Sequence, residues 1–169
     1  NVTATGLTPG QQYYVRMHSN VNDAEQQLRL LVDVCESAPN DECSGAVPIA
    51  VASSGEEPQS IRVTQRLSTG SVVPCGTTTN DVWLSFTAPS TSVAVSADGM
   101  VAVALFSGSC GALVCAGTGN INYPTTPFKV FSGLTSGETY FLKVGYWTNW
   151  NDMDIRVLAA PANDESTTE

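Results

Sequence analysis

The chain has 169 residues, of which 42% are hydrophobic and only 14% charged, and 7 basic against 16 acidic side chains give a formal net charge of −9. Such an acidic surface repels the phosphates of nucleic acids and of anionic lipids, so binding to nucleic acid or to an anionic membrane is excluded from the expected functions. No apolar run approaches the roughly 18 residues that a transmembrane helix requires, which predicts no membrane insertion.

Short runs rich in Val, Thr and Tyr, separated by Gly, Pro, Asn and Ser, occupy the whole chain and favour strands over helices. In the N-terminal part the predicted strands are Val2–Thr5, Gln12–His18 and Gln27–Cys35. Further along they are Val47–Ala52, Ser60–Gln65, Val82–Thr87, Thr91–Ser96, Val101–Ser107, Leu113–Gly117, Phe128–Phe131, Thr139–Tyr146 and Asp154–Leu158. The nine short strands of this second set, at this spacing, predict an all-β fold, an antiparallel β-sandwich of the jelly-roll or immunoglobulin-like kind.

Two stretches of the chain resemble each other. Residues 6–17 are GLTPGQQYYVRM and residues 133–144 are GLTSGETYFLKV, while APNDEC at 38–43 is echoed by PANDES at 161–166. Because both echoes occur in the same order, they predict a repeat of about 125 residues, the length of one sandwich domain. We therefore expect residues 1–38 to be the terminal strands of a preceding repeat, 39–161 a complete repeat, and 162–169 a linker or the start of the next.

Both copies of the repeated block share the spacing Leu-x-x-Gly-x-x-Tyr. A turn that contains Gly passes the chain between the sheets, and the Tyr hydroxyl can then bond to backbone near that turn. The pattern resembles the tyrosine corner of immunoglobulin-like and fibronectin type III sandwiches, which predicts a structural role for its members. They are Leu7, Gly10 and Tyr13 in the first copy, and Leu134, Gly137 and Tyr140 in the second.

Five cysteines occur without a CxxC pair, which favours disulfides in an oxidising compartment over a zinc site. Cys110 and Cys115 could close a small loop between two strands, and Cys43 and Cys75 could tie the start of the repeat to a later strand. Cys35 is then left unpaired or bonds outside this repeat. Five reduced and buried thiols are the alternative.

Several segments of residues 39–160 together resemble the sandwich repeats of secreted bacterial multidomain proteins related to pre-peptidase C-terminal domains. They are PNDEC, AVPIAV, CGTTTNDVWLSFTA, VALFSGSCGALVCAG and GLTSGETYFLKV. The resemblance implies a jelly-roll-like sandwich, secretion, and a place in surface adhesins, filaments or the tails of exported enzymes. It brings no catalytic residues. Ser166 stands where the earlier copy has Cys43, so neighbouring repeats do not share one disulfide pattern.

No catalytic constellation is evident. The sole histidine is His18, no nucleophile motif occurs, and the carboxylates of residues 39–161 lie mostly in predicted turns. We therefore expect a protein that is not an enzyme.

Two kinds of binding residue lie in and near the segment GYWTNWND. Tyr146, Trp147 and Trp150 could stack on sugar rings, although packing of Trp147 against the sandwich edge explains it equally well. The second kind consists of oxygen ligands that could hold a structural calcium ion, namely Asn149, Asn151, Asp152 and Asp154. Ordinary turn chemistry of Asn and Asp is the alternative to calcium, and no other cofactor is expected.

These features predict a structural or adhesive repeat module of an extracellular bacterial surface protein or filament. Its partners would be neighbouring repeats or copies of itself, which could assemble by β-strand complementation because an unpaired sheet edge accepts an added strand. The alternative is a carbohydrate-binding module of a secreted enzyme, with surface glycans as its ligands.

Overall fold

The structure is a computed structural model that describes residues 4, 6–8, 10–16, 38–53, 56–64, 68–76, 78, 80–146 and 152–160. The chain forms two compact units, Asn1–Val34 and Cys35–Glu169. In the first unit residues 11–16 belong to no strand, so the predicted strand Gln12–His18 is wrong where it is described. A strand needs a partner for its backbone N–H and C=O groups, and the described residues of this unit supply none. The predicted strands Val2–Thr5 and Gln27–Cys35 lie almost wholly outside the described residues.

The described part of the second unit contains ten strands and a single turn of 3₁₀ helix at Cys43–Gly45. The strands are β1 Val47–Pro48, β2 Val51–Ala52, β3 Ile61–Thr64, β4 Asn80–Thr87, β5 Ser92–Ala97, β6 Met100–Ser109, β7 Ala112–Asn122, β8 Phe128–Ser132, β9 Thr139–Tyr146 and β10 Asp152–Ala159. The all-β fold is confirmed.

The strands form two sheets with the order of a jelly roll. The first sheet runs β1-β4-β9-β6-β7, and the second runs β2-β10-β5-β8 with β3 also paired to β10. All pairings among β3 to β10 are antiparallel. The two-residue strands β1 and β2 add parallel to β4 and β10, so both sheets are mixed at one edge. Eight antiparallel strands divided in this way between two sheets make a jelly roll, one of the two sandwich types predicted.

Two predicted strands of the second unit differ substantially from the structure, whereas the bounds of the others there that fall on described residues agree within two residues. The run Val47–Ala52 divides between the sheets, because the chain crosses from one to the other at Ile49, whose N–H donates to the carbonyl of Ser85. The run Leu113–Gly117 extends to Ala112–Asn122, since β7 pairs with β6 along its whole length. Gly and Asn are weak strand formers, so the second half of β7 was not evident from propensity.

The main core lies between the sheets, where alternate residues of each strand meet. From the first sheet it takes the buried residues Val82, Leu84, Phe86, Val103, Leu105, Leu142 and Val144. From the second it takes Val63, Val93, Val95, Phe131, Met153, Ile155 and Val157.

A second, smaller core covers the outer face of the first sheet. Trp83 and Phe106 lie there with ring centroids 5.5 Å apart, packed under Val73 and Ala46. For this reason four consecutive residues of β4, from position 81 to 84, are buried on both faces of the sheet.

Two disulfides hold the segments around Cys43 and Cys75, which cover the outer face of the first sheet. They are Cys43–Cys110 and Cys75–Cys115, so the expected participation of these four cysteines is confirmed, while Cys35 lies outside the described residues. The expected pairing of Cys110 with Cys115, and of Cys43 with Cys75, was wrong. Ser109 pairs with Ala112, so β6 and β7 are joined by a two-residue turn. Cys115 therefore lies three residues up β7 from that turn, roughly 10 Å along the strand, beyond the reach of a disulfide to Cys110.

Candidate functional site

A groove of about 370 Å³ opens on the outer face of the second sheet. It lies over β10, β5 and β8, and the turns that follow β5 and β7 bound it at one end. Its volume is in the range of small-molecule sites in proteins. We call it the outer groove.

The alternation of the strands aims polar side chains into the outer groove. Val95 and Val157 are fully buried in the core, so the residues that follow Val95 and precede Val157, Ser96 and Arg156, face outward. Ser96 pairs with Arg156 on one side and with Phe128 on the other. Three side chains of different chemistry therefore lie in a row across the sheet.

Two exposed aromatic side chains line the outer groove. Phe128 begins β8 and is 54% exposed, and Tyr123, in the turn between β7 and β8, is 58% exposed. The N–H of Tyr123 donates to the carbonyl of Gly99 at 3.4 Å, which links this turn to the turn after β5. Exposed rings grouped in a concave surface indicate a binding site, because single exposed apolar residues are common but grouped ones are not.

The polar groups of the outer groove have hydrogen-bonding capacity to spare. Ser96 is only 8% exposed, yet within the described residues its hydroxyl has no hydrogen-bond partner. The guanidinium of Arg156 likewise has no carboxylate within 4 Å in that part of the chain. Asp98 accepts a hydrogen bond from the N–H of Asp154 through Oδ1 at 2.8 Å. Buried polar groups are nearly always satisfied, so the Ser96 hydroxyl calls for a partner, and the partly exposed guanidinium of Arg156 beside it is open to the same ligand.

A buried ion pair lies on the opposite, covered face of the sandwich. Lys143 Nζ lies 3.3 Å from Asp81 Oδ2, and both side chains are at most 1% exposed. Asp81 also accepts hydrogen bonds from the N–H and hydroxyl of Ser71 and from the hydroxyl of Thr78. Lys143 donates to the carbonyls of Ser71 and Gly76 as well. Every group is engaged and enclosed, so the pair fastens Ser71, Gly76 and Thr78 to the sheet and offers nothing to a substrate.

Comparison with known proteins identifies the family. Residues 39–156 match the model of a galactose-binding-domain-like family that is associated with the type IX secretion system. The chain belongs to this family. No curated protein and no solved structure gives a significant match.

Membership of this family indicates a domain of a secreted bacterial surface protein. Domains of the family are binding or structural modules and not catalytic ones. No helix that could span a membrane occurs in the described part of the galactose-binding-like chain. The match does not extend to pre-peptidase C-terminal domains, so that relation stays a prediction.

The two Leu-x-x-Gly-x-x-Tyr blocks have the same local geometry. In the galactose-binding-like domain the hydroxyl of Tyr140 accepts a hydrogen bond from the N–H of Thr135 at 2.9 Å. In the first unit the hydroxyl of Tyr13 accepts one from the N–H of Thr8 at 2.8 Å. The glycines at corresponding positions take nearly equal positive φ angles, 73° and 75° for Gly6 and Gly133, 81° and 87° for Gly10 and Gly137.

Burial differs between the two blocks. Leu134 and Tyr140 are 4% and 5% exposed in the galactose-binding-like domain, whereas Leu7 and Tyr13 are 53% and 50% exposed in the first unit. The shared geometry is therefore set locally, by the glycine turns and the Tyr hydroxyl, and does not depend on burial in a core.

The other predicted binding residues fall mostly outside the described part of the galactose-binding-like chain. Trp147, Trp150, Asn149 and Asn151 are among the residues that the structure does not describe. Tyr146 is the last residue of β9. Asp152 is in an exposed ion pair with Arg62 at 3.6 Å. No cluster of three metal-ligating side chains occurs among the described residues, and the calcium site stays a prediction.

Sequence reasoning missed the outer groove. The signal for it was the segment FKVF at 128–131, which carries an apolar residue on each face of one strand. Its inward residue Phe131 is in the core, and its outward residues Phe128 and Val130 are 54% and 40% exposed. An edge strand with apolar residues on its solvent face indicates a binding surface.

Proposed function

We propose that this chain is an adhesive module of a secreted bacterial surface protein and that the outer groove holds its ligand, a carbohydrate. The observation that carries the proposal is the joint placement of two exposed aromatic rings and of polar groups with spare hydrogen-bonding capacity in one concave surface. Tyr123 and Phe128 supply the rings, and Ser96, Asp98 and Arg156 supply the polar groups.

Carbohydrates match this combination because a sugar ring has an apolar C–H face and a rim of hydroxyl groups. The C–H face packs against an aromatic ring, whose face carries partial negative charge. The hydroxyls exchange hydrogen bonds with a carboxylate, a serine and a guanidinium, as the donor and acceptor chemistry of these side chains allows. The galactose-binding-like fold is consistent with this ligand class.

A glycan array probed with the wild-type chain and with Phe128→Ala tests the proposal. We expect the wild type to bind a defined set of glycans and Phe128→Ala to lose most of that signal. Val114→Ala is the matched control, because Val114 is 61% exposed and lies at the far end of β7 from the outer groove. Glycan binding that survives in Phe128→Ala but is lost in Val114→Ala would show that the ligand binds outside the outer groove.

We also infer a tandem array of structural repeats, which a separate observation favours. The hydrogen bonds of Tyr13 and Tyr140 and the φ angles of the four paired glycines agree between the units. In a complete first copy, a core would cover Leu7 and Tyr13 as it covers Leu134 and Tyr140. The encoded sequence that precedes residue 1 tests this inference. It should supply the remaining strands of a galactose-binding-like domain, and an unrelated sequence there would refute the array.

Assembly between copies by β-strand complementation is the remaining part of the proposal. Its support is the exposure of Tyr14 and Val15, at 88% and 65%, in a run of strand-forming residues that belongs to no strand. Sedimentation of the full chain at increasing concentration should show association that Tyr14→Ser and Val15→Ser weaken. A monomer at all concentrations would exclude this mode of assembly.

A further inference from the structure

We propose that the outer groove selects an acidic saccharide, a sugar that carries a carboxylate, with Arg156 as the residue that binds it. This inference rests on the proposed function, since it names the class of carbohydrate that the outer groove takes. The observation behind it is the contrast between the two arginines of the outer face. Arg62 is paired with Asp152, whereas Arg156 has no acidic partner within the described residues.

The position of Arg156 suits a carboxylate. A guanidinium binds a carboxylate through two parallel hydrogen bonds, which are stronger and more directional than those to neutral hydroxyls. Ser96, directly across from Arg156 on β5, can donate a further hydrogen bond to the same group. Ser96 is also buried, and its hydroxyl has no partner in the part of the chain that the structure describes, so an anion at this point would bond to both residues at once.

Asp98 sets the orientation of such a ligand. Its Oδ1 atom is already engaged by the N–H of Asp154, which leaves Oδ2 to accept a hydrogen bond from a sugar hydroxyl. A ligand carboxylate would be repelled by Asp98 and attracted by Arg156. The acidic group of the sugar therefore lies on the Arg156 side, with hydroxyls towards Asp98 and the apolar ring face against Phe128.

The net charge of −9 does not outweigh this local attraction. At physiological ionic strength the Debye length is about 8 Å, so exposed charges farther away are largely screened, while a direct contact in a partly enclosed groove is screened much less. An anionic ligand therefore responds mainly to the groups that line the outer groove.

Calorimetric titration with a matched pair of probes tests the inference. Oligogalacturonate and the corresponding galactose oligomer differ only in the carboxylate at C6. We expect the wild type to bind the acidic oligomer about 10- to 100-fold more tightly, the range for hydrogen bonds to a charged group. Arg156→Gln should remove this preference, and Arg156→Lys should keep part of it, because a lysine retains the charge without the paired geometry.

Arg62→Gln is the control, since Arg62 lies on the same face but already has a carboxylate partner, and it should leave the preference unchanged. Equal affinity for both oligomers, lost in Phe128→Ala, would overturn the acidic preference while the outer groove remains a carbohydrate site. A preference that persists in Arg156→Gln would also overturn the role of Arg156. Failure of both oligomers and of a wider glycan panel to bind would overturn the proposed function together with this inference.

Discussion

Removal of one partner of the buried ion pair should strongly destabilise the domain. In Lys143→Met, Asp81 would stay fully enclosed without its cationic partner, with three hydrogen bonds from Ser71 and Thr78 as its remaining support. In Asp81→Asn, Lys143 would lose its carboxylate partner and would keep neutral acceptors alone, among them the carbonyls of Ser71 and Gly76. Breaking a buried pair from one side costs about 3–5 kcal/mol. We expect Lys143→Met near the lower value and Asp81→Asn near the upper one.

Urea unfolding followed by circular dichroism, with the disulfides intact, measures these losses. For a domain of this size they correspond to a fall in melting temperature of about 10–20 °C. The exposed pair provides the comparison. Arg62 and Asp152 are 68% and 43% exposed, so Arg62→Gln should cost less than about 1 kcal/mol because solvent screens the interaction.

The stability losses of the two single variants should not be additive when the substitutions are combined. The double variant removes both charges at once, so its loss should be clearly smaller than the sum of the single losses. A loss below about 1 kcal/mol in Lys143→Met, or simple additivity in the double variant, would show that the pair is not enclosed as the structure has it.

Three further substitutions test the segment that covers the first sheet and the tyrosine corner at Tyr140. Replacement of both Cys75 and Cys115 by Ser opens a loop of sequence separation 40 and should cost about 4 kcal/mol in reversible urea unfolding. Tyr140→Phe removes the hydrogen bond to the corner and should cost about 1 kcal/mol, with little change in the circular dichroism spectrum. Gly145→Ala places a Cβ against the side chain of Thr78, which should cost about 1–3 kcal/mol, whereas an unchanged stability would mean that Thr78 is not packed there.

The sequence predicted the fold class well because alternation and turn residues act locally. Strands β4, β5, β6 and β9 contain alternating apolar residues that face the core, and this pattern is visible without any tertiary information. The glycine turns of the two repeated blocks were visible for the same reason.

The disulfide pairing and the outer groove could not be predicted in this way, because both depend on which strands become neighbours. Cys75 reaches Cys115 only after residues 68–76 fold over the first sheet, and this placement follows from the buried ion pair and from Trp83. Ser96, Phe128 and Arg156 come from three strands that are distant in sequence and meet only through the sheet register. Single-strand patterns carry no information about that register.

A nuclear magnetic resonance titration of the labelled chain, with a glycan that binds in the array, would show whether the outer groove is the ligand site. We predict that the amide signals of Ser96, Phe128 and Arg156 shift in proportion to occupancy, while that of Val114 stays in place. Shifts confined to other parts of the sandwich, or no shift at saturating glycan, would contradict the assignment of the outer groove as the site of adhesion.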